Sequence, residues 1–336
     1  MSSIALVNIH TRALELAPGF FVSVIVAIAA TFLSEHYGAP VMLFALLLGI
    51  AMNFLAADGK CKAGIEFTAR AVLRLGIALL GMRITLEQIA TLGWKPVALV
   101  VIVVVVTIAV SVVAAKVLGF KRIFGMLTGG ATAICGASAA LALAAALPNH
   151  PQKERATLFT VIGVSALSTV AMILYPMIAN WFALSPQEAG VFLGATIHDV
   201  AQVVGAGYSM STETGDTATV VKLMRVAMLL PVILCATVIT RMQGADPTGK
   251  RPPLLPMFAV GFLVLACINS TGWIAPAVQG FVNELSRWCL VISISALGMK
   301  TQLRELATIG IKPILLMVGE TVFLVGLVLL LLHWGF

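Results

Sequence analysis

Two cations stand inside an apolar stretch of the chain, where charge is costly. Lys222 and Arg225 lie three residues apart in Lys222-Leu-Met-Arg225, so a helix would place both on one face. Two charges in a dry interior cost on the order of several kcal/mol unless a counter-charge is present. Asp199 could supply one negative charge and a bound anion the rest, so the pair predicts an anion site. Alternatively, Lys222 could reach water from the edge of the apolar segment and need no partner.

A second group of ionisable residues surrounds His198. His198 and Gln202 are four residues apart and are expected to share a helix face, with Asp199 flanking Gln202. Because histidine titrates near neutral pH, His198 together with Asp199 is predicted to carry a coupled proton. Thr196 and Gln202 are assigned to the binding site itself. In the alternative interpretation, His198 only donates a hydrogen bond to a neighbouring helix.

The segment Thr128-Gly-Gly-Ala-Thr-Ala-Ile-Cys-Gly-Ala-Ser138 is unusually rich in glycine and hydroxyl groups. Each glycine costs about 1 kcal/mol relative to alanine inside a helix, so the helix is predicted to unwind here. A half-helix beginning near Cys135–Ser138 would direct free N–H groups and its positive end at an anion. The predicted N–H donors are Gly129, Gly130, Cys135, Gly136 and Ala137, and the predicted hydroxyl ligands are Thr132 and Ser138. Close helix packing through small residues is the alternative.

Other polar residues carry weaker signals. Glu66, Arg70 and Arg74 are four residues apart, which favours pairing of Glu66 with Arg70 and leaves Arg74 deeper in the segment. We assign Arg74 and Asn269 to an anion path, although an interfacial helix and a helix end would explain them equally well. Glu320 is alone in its apolar segment and has no assigned partner.

The elements that must position these residues are apolar. Of 336 residues, 60% are hydrophobic and only 10% charged, with a mean hydropathy of +1.06. A soluble domain carries about 25% charged residues, so lipid is the expected solvent. The apolar segments span 19–34, 39–56, 65–82, 97–118, 123–147, 156–182, 187–207, 218–241, 254–270, 275–299 and 313–335. Most reach the length of a membrane-crossing helix and none alternates like a barrel strand. We therefore expect an all-α membrane protein with one transmembrane domain over 1–336.

Several functional classes are disfavoured. The net charge of +7 comes mainly from short loops, as in membrane proteins, and not from basic stretches interleaved with aromatics, so nucleic acid is not an expected partner. The five cysteines predict no disulfide framework, and neither a cofactor nor a metal is expected. No nucleotide-binding loop is apparent. A hydrolase triad of His198-Asp199 with Ser138 or Cys135 lacks a nucleophile elbow, so we expect no enzyme.

An internal repeat organises the chain. Residues 80–96 (LGMRITLEQIATLGWKP) match residues 297–313 (LGMKTQLRELATIGIKP) at nine positions, and the register places Arg70 opposite Arg287. The matches are Leu80/Leu297, Gly81/Gly298, Met82/Met299, Leu86/Leu303, Ala90/Ala307, Thr91/Thr308, Gly93/Gly310, Lys95/Lys312 and Pro96/Pro313. The copies are offset by seven segments, an odd number, which predicts inverted topology typical of secondary transporters. The repeat-related halves are approximately 39–182 and 187–335.

Loop charges distinguish segments five and seven from the others. Cations flank both ends of segment five, and carboxylates flank both ends of segment seven. A full crossing would put the two ends of each segment on opposite sides of the membrane. The charge bias therefore predicts that both segments are discontinuous or re-entrant and meet near the midplane.

Five stretches resemble one known family. They are Leu73-Arg-Leu-Gly-Ile-Ala-Leu-Leu-Gly81, Gly129-Gly-Ala-Thr-Ala-Ile-Cys-Gly-Ala-Ser-Ala139, Ile197-His-Asp-Val-Ala-Gln-Val-Val204, Lys222-Leu-Met-Arg-Val226 and Ala296-Leu-Gly298. Together they are similar to the YeiH-type sulfate exporter family over almost the whole chain. The resemblance implies a bacterial inner-membrane protein whose fold is related to cation/proton antiporters and bile-acid symporters, with discontinuous helices crossing near the midplane. Asp199 stands where that family often has Glu, so a carboxylate is kept.

The resulting hypothesis is a secondary transporter that exports a small anion, sulfate or an organosulfonate, with proton coupling. The alternatives are a Na⁺/H⁺-type cation antiporter that uses Asp199, a symporter of a small organic acid and, remotely, an intramembrane hydrolase. The expected partners are the anion, the lipid bilayer and an H⁺ or Na⁺ ion. The oligomeric state is left open, a homodimer included.

Overall fold

The computed structural model describes residues 2–38, 40–57, 59–147, 153–242, 257–301 and 310–335. These residues form helices joined by turns, and no strand occurs among them. The helices are α1 (Ser2–Tyr37), α2 (Val41–Ala51), α3 (Phe54–Ala57), α4 (Lys62–Phe67), α5 (Leu73–Leu79), α6 (Leu86–Thr91), α7 (Lys95–Val117), α8 (Arg122–Ala133), α9 (Ala137–Ala146), α10 (Lys153–Trp181), α11 (Pro186–Thr196), α12 (Val200–Met210), α13 (Thr212–Ala227), α14 (Leu229–Met242), α15 (Met257–Ser270), α16 (Pro276–Lys300) and α17 (Ile311–His333). A π-helical turn, Thr68–Val72, joins α4 to α5, and a 3₁₀ turn, Leu80–Met82, follows α5.

Within the described residues, five stretches of helix are long and apolar enough to cross a membrane. They are Arg12–Tyr37, Lys95–Val117, Lys153–Trp181, Thr212–Val238 and Ile311–His333. α7 shows why such sequences become helices, because its valine-rich run would favour a strand in water. Lipid offers no hydrogen bonds to the backbone, and a helix satisfies its N–H and C=O groups within one segment. The all-α membrane class is confirmed, whereas the number of crossings stays a prediction.

The chain divides into two compact units, each built from two separated stretches. Unit one comprises Met1–Ile89 and Met257–Gln302, and unit two comprises Ala90–Pro256 and Leu303–Phe336. In unit one, α2 and α16 approach so closely that a Cβ on Gly49 would lie 2.3 Å from the Ser295 carbonyl oxygen. Glycine is therefore required at this contact.

Unit two contains the two interrupted helices. The first interruption separates α8, which ends at Ala133, from α9, which begins at Ala137. The second separates α11, ending at Thr196, from α12, beginning at Val200. The predicted discontinuity of segments five and seven is confirmed, as is the start of a half-helix near Cys135–Ser138.

Two glycines that match in the sequence repeat have similar backbone conformations in the structure. Gly93 and Gly310 both have positive φ, 73° and 90°, and each precedes a helix of 23 residues, α7 and α17 respectively. Residues 302–309 of the second copy lie outside the described residues. The inverted relation of the two copies stays a prediction.

Candidate functional site: the crossing of two interrupted helices

The first interruption depends on one glycine. Gly136 has φ +63° and ψ −129°, a conformation that a side chain disfavours. A Cβ built on Gly136 would lie 3.6 Å from the Cβ of His198, which belongs to the second interruption. The two interruptions are thus in contact, and we call the region formed by Thr132–Ser138 and Thr196–Gln202 the crossing.

The second interruption ends in a capped helix. Asp199 is the N-cap of α12, and its Oδ1 accepts a hydrogen bond from the Ala201 N–H at 2.9 Å. The N–H of Asp199 donates to Ser168 Oγ at 3.0 Å. Because α12 begins only at Val200, His198 lies in the connection before the helix. The prediction that His198 and Gln202 share a helix face is therefore wrong.

Arg225 of α13 ties the two interrupted helices together. It is fully buried. Its Nε and one terminal nitrogen donate to the carbonyls of Ala133 and Thr132 at the end of α8, both at 2.8 Å. The other terminal nitrogen donates to the carbonyls of Gly194 and Ile197 at the end of α11, at 3.1 and 3.0 Å. One side chain thus holds the carbonyl ends of both helices.

Lys222, one turn before Arg225, repeats this arrangement. Its Nζ donates to the Ile134 carbonyl at 2.7 Å and to the Ile197 carbonyl at 2.9 Å. Since the side chain is fully buried, the alternative in which Lys222 extends to water is wrong. The last carbonyls of a helix lack partners and carry the negative end of its dipole, so two cations stabilise both ends.

These contacts leave little donor capacity unused. Arg225 makes four of the five hydrogen bonds that a guanidinium can donate, and Lys222 makes two of three. One N–H on each cation has no acceptor among the described residues and is available to another acceptor.

His198 is buried with both ring nitrogens in hydrogen bonds. Nδ1 lies 3.1 Å from the Thr132 carbonyl oxygen, and Nε2 lies 3.1 Å from Thr321 Oγ1. A carbonyl only accepts, so Nδ1 must carry a hydrogen. In neutral His198 the Thr321 hydroxyl donates to Nε2; in charged His198, Nε2–H donates to Thr321, whose own hydrogen goes to the Met317 carbonyl at 2.8 Å. Both protonation states are satisfied without rearrangement of the backbone.

Glu320 of α17 joins the same region, which the sequence did not predict. Its carboxylate accepts hydrogen bonds from the hydroxyls of Ser111, Thr128 (2.7 Å) and Thr132 (3.1 Å). The available signals were a lone carboxylate in an apolar helix and two threonines four residues apart in segment five. Neither signal links residues that lie nearly two hundred positions apart in the chain.

Only some residues of the crossing are exposed at the surface of the protein. Ser138 is exposed, and Ala137 and Asp199 are partly exposed, whereas Cys135 and Thr132 are buried. The first N–H groups of α9, from Ala137 onward, have no carbonyl partner within their own helix. The predicted donor Gly136 is already engaged, because its N–H donates to the Ala131 carbonyl at 2.8 Å.

Gly129 and Gly130 occupy a different place from the one predicted. Both lie within α8, where N–H groups bond to carbonyls of the preceding turn, so the expectation that they offer free N–H groups is corrected. A Cβ on Gly129 would lie 2.4 Å from Ser111 Cβ, and one on Gly130 would lie 2.2 Å from Leu143 Cδ1. The pair therefore serves close packing, the alternative raised for this segment.

Thr196 and Gln202 flank the second interruption and are buried. The Thr196 hydroxyl donates to the Phe192 carbonyl at 2.6 Å. Gln202 Nε2 lies 3.4 Å from Thr169 Oγ1, and Gln202 Oε1 is buried without a hydrogen-bond partner among the described residues. Gln202 thus retains capacity to bind a ligand.

The residues assigned to an anion path belong to unit one, whereas the crossing belongs to unit two. Arg74 is exposed on α5, not deep in its segment, and Glu66 pairs with Arg70 at 2.9 Å as predicted. Asn269 is buried, donates to the Ile84 carbonyl at 3.3 Å and accepts from Gln279 at 2.9 Å.

Long apolar helices and two interrupted helices cross-tied by buried cations define a multi-pass helical membrane protein. A family model described as "Conserved hypothetical protein 698" matches residues 18–317. The chain is 55% identical over 319 residues to the UPF0324 membrane protein TauZ of Paracoccus denitrificans, covering 94% of each chain. It is 54% identical to a UPF0324 membrane protein of Chlorobaculum tepidum, covering 94% of this chain and 89% of that one. The chain belongs to the UPF0324 family of membrane proteins.

Proposed function

We propose that this protein is a secondary transporter of the bacterial inner membrane that exports a small anion, sulfate or an organosulfonate. The observation that carries the proposal is the occupation of the carbonyl ends of both interrupted helices by Lys222 and Arg225.

An interrupted helix offers two kinds of ligand. Its carbonyl end attracts cations, and its N-terminal end attracts anions. In unit two the carbonyl ends of α8 and α11 are already held by two fixed positive charges. The N-terminal end of α12 is capped by Asp199, so the N-terminal end of α9 is what remains for a ligand, and the two cations nearby favour an anion.

The anion is proposed to bind at the N-terminus of α9. Ala137 and Ser138 would donate backbone N–H groups, and the Ser138 hydroxyl would add a further donor. A tetrahedral oxyanion accepts many hydrogen bonds, so the remaining N–H groups of Lys222 and Arg225 are further ligands. The proposed site is completed by Thr132, Cys135, Thr196 and Gln202.

A cation antiporter is the second candidate within transport. It would need Asp199 as its ion ligand, yet one oxygen of this carboxylate caps α12 through the Ala201 N–H. A hydrolase would need His198 to activate Ser138 or Cys135. The ring nitrogens of His198 instead face Thr132 and Thr321, an arrangement that gives the hydrolase no support.

Proton coupling is proposed to involve His198 with Asp199. The hydrogen bonds of His198 can be satisfied in both protonation states, as a proton carrier requires.

The test is a flux assay in proteoliposomes with radiolabelled sulfate, a panel of organosulfonates and ²²Na⁺, with and without a pH gradient. We expect saturable anion flux that persists when sodium is replaced by choline, and none in protein-free liposomes. Sodium flux without anion flux would support the antiporter, and product formation without flux would support the enzyme.

A further inference from the structure

We propose that Glu320 is a proton-binding site that controls the hydroxyl group of Thr132, so that a proton and the anion bind cooperatively. The inference rests on the proposed anion site and adds to it Glu320, which that site does not include.

The surroundings of Glu320 are built from hydroxyl groups. Its side chain is 3% exposed. Oε1 accepts from Ser111 of α7 and from Thr128 of α8, and Oε2 accepts from Thr132 of α8. A buried carboxylate must be either protonated or supplied with donors, and here the described donors are neutral and able to rotate.

In the part of the chain that the structure describes, charged and titratable groups reach Glu320 only indirectly. α17 packs against α7, α8, α10 and α11. His198, after α11, contacts Thr321, the neighbour of Glu320 in the chain. On α10, Tyr175 packs its ring against Phe192 of α11, with 5.6 Å between ring centroids. Lys222 and Arg225 direct their described hydrogen bonds to backbone carbonyls, and further charges such as Arg122 and Glu188 lie in the first turns of α8 and α11.

The hydrogen bonds can be satisfied in two states. When Glu320 is ionised, all three hydroxyls donate to it. When Glu320 is protonated on Oε2, which accepts from only one hydroxyl, it donates that hydrogen to Thr132 Oγ1, and Oε1 can still accept from Ser111 and Thr128. Ser111 can then donate to the Gly125 carbonyl at 2.8 Å and Thr128 to the Phe124 carbonyl at 3.1 Å. Thr132 differs, since its hydroxyl has no other acceptor among the described residues.

Protonation would therefore release the Thr132 hydroxyl for a ligand. Thr132 lies in the last turn of α8, immediately before the interruption, and its carbonyl is already bound by Arg225 and His198. A freed hydroxyl hydrogen adds a donor to the anion site, and loss of the Glu320 charge removes a repulsion. Proton and anion then favour each other's binding by the same factor, as linkage requires.

The experiment measures protons taken up per anion bound. Sulfate binding to the purified full-length protein is followed by titration calorimetry in buffers of different ionisation enthalpy, at several pH values. We expect wild type to take up protons, with Kd rising by up to about tenfold per pH unit for each coupled proton. In Glu320→Gln, which resembles the protonated acid, uptake should fall by up to one proton and the pH slope should flatten.

Two further variants make the result decisive. Glu320→Asp keeps a titratable acid and should keep proton uptake, with a shifted pH profile. Glu213→Gln removes an exposed carboxylate from α13 and should behave as wild type. If Glu320→Gln binds sulfate with the full wild-type pH slope, the role of Glu320 is refuted while anion transport stands. If wild type and Glu213→Gln bind no anion at any pH, the proposed function fails and this inference fails with it.

Discussion

Arg225 shows how a residue identified from sequence can have partners that sequence does not reveal. Its position within an apolar segment was a usable sequence signal, as were the positions of Lys222 and His198. All three side chains are buried in the structure. The predicted counter-charge was Asp199 together with a bound anion, but the described partners of Arg225 are four backbone carbonyls. Every residue has a backbone carbonyl, so the sequence does not show which carbonyls lose their hydrogen-bond partners where a helix is interrupted. Glu320 was missed for a related reason, because its hydroxyl partners are distant in the chain.

Replacement of Arg225 should damage both folding and transport. Arg225→Ala removes one donor from each of four buried carbonyls, of which only those of Thr132 and Ile197 keep a second described side-chain donor, His198 and Lys222 respectively. We expect a cost on the order of 3–5 kcal/mol and loss of sulfate flux. Arg225→Lys should restore little, because one ammonium cannot span the ends of α8 and α11. Thermal unfolding in detergent and proteoliposome flux are the measurements. The control is Arg155→Ala, an exposed arginine 5.1 Å above the Phe159 ring. Normal stability and flux in Arg225→Ala would contradict the role of Arg225 in holding the carbonyl ends of α8 and α11.

His198 provides the test of its own proposed coupling role. His198→Gln keeps two hydrogen-bonding groups for Thr132 and Thr321 but cannot titrate. We expect sulfate flux with a flatter pH dependence than wild type, measured in proteoliposomes at equal internal and external pH. Identical pH profiles would show that His198 is only a ligand, and Asp199 would then be the remaining candidate beside Glu320.

At the scale of elements, the interruption of segment five was predictable but its position was only partly so. Glycine content indicated a weak helix, and the structure places the interruption after Gly130, at Ile134–Gly136. Gly129 and Gly130 pack closely against Ser111 and Leu143. This requirement for glycine depends on neighbouring helices, which the local sequence does not show. The π-helical turn at 68–72 had no such signal, because TARAV contains neither glycine nor proline.

The conformation of Gly136 leads to a prediction about the interrupted helix. Gly136→Ala should cost on the order of 1–3 kcal/mol, since φ +63° with ψ −129° is a conformation that residues with a Cβ rarely adopt. The distortion should fall on the N-terminus of α9 and weaken sulfate binding. Gly326→Ala on α17, where a Cβ meets open space, is the matched control and should be neutral or slightly stabilising. Melting temperature and sulfate Kd are compared for the two variants. Equal behaviour of the two would show that the conformation of Gly136 does not matter to the site.

At the scale of the whole molecule, composition was sufficient to predict a multi-pass helical protein. The division into two units was not foreseen, because each unit combines stretches from distant parts of the chain. Hydropathy reports which segments are apolar but not which segments pack together. The repeat-related halves, 39–182 and 187–335, are defined by the sequence match alone and stay a prediction; their bounds differ from those of the two units.

The inverted repeat can be tested by labelling. Glu87 and Lys312 are exposed and belong to the two copies of the repeat. In a cysteine-free background, Glu87→Cys and Lys312→Cys should react with a membrane-impermeant maleimide from opposite sides of the membrane, because an odd number of segments separates the copies. Labelling is carried out in intact spheroplasts and in inverted vesicles. Reaction of both positions from one side would refute inverted topology.

Six hydrogen bonds from two side chains of α13 hold the carbonyl ends at the crossing. A binding site with its backbone fixed in this way cannot reshape itself between one face of the membrane and the other. The order of its affinities for competing anions should therefore be the same from either side of the membrane. The same series of inhibitory potencies is expected whether competitors are offered to right-side-out or to inverted vesicles, even where absolute rates of flux differ.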